Sequence, residues 1–142
     1  MKKKSRILII ICSLAFFGCQ NQAVSQVPKV VEKAFKLKYP DENDPDWEID
    51  AHGNFESHFK KEGVKYRADF SPEGIWIETE TSISKKDLPK SIREAIKKNY
   101  SKEEIAEIEK VDSALKGEFY DVEFKQKGKN KDVEYRASGE EL

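Results

Sequence analysis

The side chains able to carry chemistry are few and sit close together. His52 and His58 are the only histidines, and Asp50 and Glu56 stand beside them. Imidazole and carboxylate donors at such spacing could ligate a divalent cation. If the segment alternates as strands, all four point to one solvated face on either side of a Gly53-Asn54 turn. No HExxH spacing supports them, and a polar surface accounts for the same residues. Glu78 and Glu80 share a strand face, but a flat charged sheet is expected to offer no burial that would raise a carboxyl pKa for acid catalysis. Nucleophilic catalysis needs a nucleophile with a base in reach. No G-x-S-x-G and no glycine-rich phosphate loop occurs, and Cys12 and Cys19 both lie in or beside the N-terminal leader. The chain therefore reads as a non-enzyme without a cofactor. A small-ligand or metal sensor using His52, His58 and their acids remains the alternative to a protein-binding role.

The protein-binding reading starts from Trp76. In the alternating segment 75–80, Ile75, Ile77 and Thr79 take one face, and Trp76, Glu78 and Glu80 take the other. A tryptophan among charges serves as an interface anchor, since Trp, Tyr and Arg dominate binding hot spots. The same residue could lie flat over Lys and Arg stems, or a slip of phase could turn it inward. Arg67 and Glu78 fall on the same expected face, and Phe119 has the same odd parity in a later strand. These four form the candidate partner-binding set.

The elements that must position these residues are written twice. Residues 27–39 read VPKVVEKAFKLKY, and residues 88–100 read LPKSIREAIKKNY. Pro28/Pro89, Lys29/Lys90, Ala34/Ala95, Lys36/Lys97 and Tyr39/Tyr100 are identical, and self-similarity at a fixed offset marks repeated architecture. Val27, Val30, Val31, Ala34 and Phe35 trace the apolar stripe of a helix, as do Leu88, Ile92, Ala95, Ile96 and Tyr100. Each proline suits a first helical turn, Asp87 offers a cap for the second helix, and Pro40 stops the first. The lysine-rich polar faces also carry Glu32 and Glu94, which fits a solvated helix face.

After the first helix, alternating runs begin at Trp47, Phe55, Val64 and Ile75, separated by Gly53-Asn54, Glu62-Gly63 and 71–74. Period-2 alternation between short turns predicts an antiparallel meander with one apolar face, which the helix must cover. The second copy is less regular. Residues 101–110 suit a short helix or a first strand. Tyr120, Val122 and Phe124 then match Phe55, Ser57 and Phe59, and Val133-Glu134-Tyr135-Arg136-Ala137 echoes Val64-Lys65-Tyr66-Arg67-Ala68. Only five residues follow, too few for a full fourth strand.

Residues 1–18 have a basic start and an apolar run from Ile7 to Phe17. That run is shorter than the ~20 residues of a membrane span, so it reads as an export signal. Without Lys2, Lys3, Lys4 and Arg6, the formal charge of −1 becomes −5, with 22 basic against 27 acidic residues. Such a surface argues against nucleic acid as a partner. The Phe16-Phe17-Gly18-Cys19 end resembles a bacterial lipobox, with phenylalanine where leucine is usual at −3. The resemblance implies an acylated Cys19, a polar tether over 19–26 and, since Gln20 is not aspartate, an outer-membrane lipoprotein facing the periplasm.

A lipobox leader followed by two helix-plus-meander copies with V-x-Y-R-A strands resembles the PepSY-like family, related in fold to beta-lactamase inhibitor protein. The resemblance spans about residues 27–137 and carries over no catalytic residue. It implies an α+β fold: two tandem helix-plus-antiparallel-meander repeats, 27–83 and 84–142, forming one continuous sheet with helices packed on one face. It also implies a periplasmic binding or inhibitory module whose partner is a protein. Replacing Cys19 with serine should abolish lipid labelling and leave the protein extractable without detergent. Retention in washed membranes would refute the anchor.

Overall fold

A computed structural model describes residues 22–23 and 26–142. The leader and Cys19 lie outside them. Among the described residues, eight strands form one sheet in chain order, each antiparallel to the next. They are β1 (Gln22–Ala23), β2 (Asp46–Ile49), β3 (Phe55–Lys61), β4 (Val64–Phe70), β5 (Trp76–Ser82), β6 (Ile105–Ser113), β7 (Gly117–Phe124) and β8 (Lys131–Tyr135). Helix α1 (Lys29–Lys38) precedes β2, and α2 (Lys90–Asn99) connects β5 to β6. Two residues of the expected tether, Gln22 and Ala23, pair with Ile49 and Glu48. The ambiguous stretch after α2 extends as β6, paired with both neighbours. The chain ends on a stub of a further strand, where Glu141 bridges Tyr135 and the Leu142 N–H donates to the Glu134 carbonyl.

Both helices pack on the same side of the sheet, through the stripes their spacing predicts. Val31 and Phe35 of α1 meet Phe55, Ala68 and Phe70, with Trp47 and Phe59 against the same cluster. Phe35 makes edge contacts with the rings of Trp47, Phe59 and Phe70. Leu88, Ile92 and Ile96 meet Ile108, Val122, Phe124, Val133 and Tyr135. A side chain of this kind contributes about 1.5–3 kcal/mol when fully buried, so each helix is held mainly by its stripe. Between the two clusters the pairs Thr79↔Asp112 and Thr81↔Lys110 make the sheet polar.

The helix ends differ in detail from expectation. Pro28 and Pro89 occupy the capping position before the first helical residue, and each carbonyl accepts the first intrahelical bonds. Asp87 does not cap α2. It sits in a 3-10 turn, Lys85–Asp87, and its carboxylate accepts from the Ser84 N–H and hydroxyl. Each helix also touches a hairpin turn further along the chain. A Cβ on Gly74 would lie 2.8 Å from the Val30 carbonyl oxygen, and one on Gly139 would lie 2.8 Å from that of Ser91. Gly74 also has φ +79°, as Gly53 has φ +87° with open space around it. A left-handed backbone costs a non-glycine residue about 1–2 kcal/mol. Gly53→Ala should therefore lose about that much in urea unfolding, and Gly74→Ala clearly more, because α1 must also shift. Equal losses would show that the turn does not position the helix.

Candidate functional site

The face of the sheet away from the helices is acidic, and its centre is buried. Cross-strand register places Glu56 opposite Asp69, Arg67 opposite Glu80, Glu109 opposite Asp121 and Val111 opposite Phe119. Glu56 and Asp69 are each 7% exposed, and Glu80 is 9% exposed. The expectation of a flat, solvated face without pKa perturbation is thus corrected. Neighbouring strands lie only about 4.7–4.9 Å apart, so long side chains packed on adjacent strands exclude water from one another without a covering layer.

Arg67 lies at the centre. Its Nε stands 3.4 Å from Asp69 Oδ1, and its guanidinium donates to Glu80. Burial works against its charge, but Asp69, Glu80, Glu56 and Glu109 together hold its pKa above the ordinary value. One arginine does not neutralise so many acids. Burial, only partly offset by Arg67 and reinforced by Glu56 and Glu78, pushes Asp69 up to about 7. Burial beside Asp132, Glu134 and Glu109 pushes Asp121 up to about 6. Burial also raises Glu80 and Glu109, and the neighbouring Glu109 carboxylate adds to the rise at Glu80.

The predicted partner-binding residues divide between the two faces. Arg67, Glu78 and Phe119 are on the acidic face. Phe119 is 3% exposed against Val111, with Lys116 Nζ 5.1 Å above its ring, so it is a packed residue within that face. Trp76 is on the helix side, which corrects the expected solvent-facing position. Asp69 pairs with Glu78 but Phe70 pairs with Trp76, so one extra residue bulges out of β5 and reverses the alternation. Trp76 packs on the α1 cluster, donates from Nε1 to Thr79 Oγ1, and carries Lys38 Nζ 3.5 Å above its ring. Ile75, expected inward, is exposed instead.

The histidines also separate. Asp50 turns inward on its own loop, accepting from the His52 and Asn54 N–H groups and from Asn54 Nδ2. Those bonds hold its pKa below the ordinary value against slight burial. His52 is exposed in that turn. His58 meets a different residue: Glu48, Glu56 and His58 bring one donor atom each within 4.8 Å of one another. Glu48 alternates with Trp47 and Ile49, so period-2 spacing puts it on this face. The pairing of Glu48 with Glu56 across the turn was the signal that would have replaced His52 with Glu48. Glu109 was missed because its segment suited either a helix or a strand.

A family model described as beta-lactamase-inhibitor-like, PepSY-like matches residues 53–140. Solved structures share the fold at low identity. A DUF2874 family protein from Bacteroides ovatus aligns with TM-score 0.74 and 21% identity over 84% of this chain and 86% of its own. A BLIP-like protein from Bacteroides fragilis aligns with TM-score 0.69 and 19% identity over 82% and 84%. A Bacteroides eggerthii chain, provisionally described as periplasmic, aligns with TM-score 0.73 and 17% identity over 82% and 86%. No curated protein matches the chain. Among the described residues, no helix is long and apolar enough to cross a membrane.

The raised carboxyls fix the sign of a pH dependence. Between about pH 4 and pH 7, folded Asp69 and Asp121 hold protons that the unfolded chain has released. Stability therefore falls as pH rises through that range. Urea unfolding should show a more stable protein at pH 5 than at pH 8. Asp121→Asn should gain stability at pH 8 and less at pH 5. A flat profile would mean that the acidic centre is solvated.

Proposed function

Because the chain belongs to the PepSY-like, beta-lactamase-inhibitor-like family, we propose that it is an exported protein-binding module using the acidic face of its sheet. The observation that carries this reading is the arrangement of that face. Among the described residues no helix covers it, its acids outnumber its bases, and Arg67 is the one cation at its buried centre. A fixed acidic surface selects partners through complementary charge, which speeds encounter and penalises wrong partners. The partner is accordingly a protein presenting a basic surface. Arg67, Glu78 and Phe119 belong to the docking face, whereas Trp76 supports it from behind by anchoring β5 to α1. Capture on a sheet face blocks whatever the partner does through the bound surface, which makes inhibition the natural consequence. The lipobox-like segment ending at Cys19 supports reading the module as a lipoprotein on the periplasmic side of the outer membrane.

A photo-crosslinker at Glu78 should trap a protein in the host envelope. One at Glu32, on the exposed side of α1, should not. Reversing the charge of the cross-strand pair on the same face, Glu107→Lys with Glu123→Lys, should abolish the crosslink, and added salt should weaken it. Crosslinks from Glu32 alone, or capture unaffected by charge reversal, would overturn the assignment of the face.

A further inference from the structure

We propose that Glu48, Glu56 and His58 form a binding site for a divalent transition-metal ion, with Zn2+ the best match to the donor set. Glu48 and Glu56 are direct cross-strand partners on β2 and β3. His58 follows Glu56 by two residues, so all three side chains leave the same face. Like charges directly opposite on paired strands are destabilising, and a cation between them turns that repulsion into attraction.

The distances suit one ion. His58 Nε2 lies 3.6 Å from Glu56 Oε2, too long for a hydrogen bond. Two donors each about 2 Å from a tetrahedral Zn2+ stand about 3.3 Å apart, so a small closure completes the geometry. The third donor, from Glu48, is already within 4.8 Å of both. His58 Nε2 is shielded from solvent and has no hydrogen-bond partner, an arrangement that costs free energy unless something ligates the nitrogen. Glu56 is buried while Glu48 and His58 are partly exposed, leaving an entry path and room for water as a fourth ligand. One nitrogen and two oxygens from three protein side chains, with a position left open, is a donor set that Zn2+ accepts. His52 has no part in the site.

The test titrates ZnCl2 into the full chain by calorimetry and follows both imidazoles by NMR. The expected result is saturable one-to-one binding that shifts the His58 ring signals and leaves those of His52 unchanged. His58→Ala should lose the binding, and Glu48→Gln should weaken it by about tenfold or more. Glu48 is partly exposed, so that variant keeps the fold, and an unchanged metal-free melting curve verifies it. His52→Ala should bind as the parent does. Absence of saturable binding, unchanged affinity in Glu48→Gln, or loss of binding in His52→Ala would each overturn the site. Because the readout is metal binding alone, its failure leaves the protein-binding reading untouched.

Discussion

An eight-stranded sheet with helices on one side must solve burial on its other side by itself. In this protein the solution is electrostatic. Arg67 lies among Asp69, Glu80, Glu56 and Glu109, and neighbouring strands press these groups together until Glu56, Asp69 and Glu80 are buried. Desolvation disfavours charge, and a single cation cannot compensate several buried acids. The face relieves the strain by holding protons. Its acidity therefore follows from how the strands pack as well as from composition.

The helix side obeys ordinary hydrophobic accounting. Two apolar stripes meet two clusters, one rich in aromatic rings around Phe35 and one built on Ile92, Phe124 and Tyr135. The polar seam between them keeps the clusters separate, while the hydrogen-bonded β5–β6 pairing keeps the sheet whole. The bulge in β5 links the two sides. It turns Trp76 under Lys38 and Thr79, and it leaves Glu78 beside Asp69 on the acidic face. One inserted residue thus takes an aromatic ring off the exposed side and leaves Glu78 there.

Much of this was legible in the residues themselves. The stripes at i, i+3, i+4 and the prolines before them located both helices, and alternation between glycine turns located β2 to β5 and the paired strands β7 and β8. Family resemblance supplied the single sheet. The site was less legible because its members are ordinary surface residues whose significance depends on register. Arg67 and Glu78 were placed correctly by parity. Trp76 was not, because a bulge leaves no mark on a period-2 pattern until the partner strand is known.

The sequence by itself determined the element order, which helix faces are apolar and the excess of acid over base in the folded part. These are local properties, set by periodicity, turn chemistry and composition. Tertiary structure decided which acids are buried, that Glu48 rather than His52 joins His58, and that Phe119 and Trp76 lie on opposite faces. Those outcomes depend on strand register and on how closely neighbouring strands crowd their side chains. Both are non-local, since a carboxylate's pKa answers to residues across the sheet and a strand's parity answers to its partner.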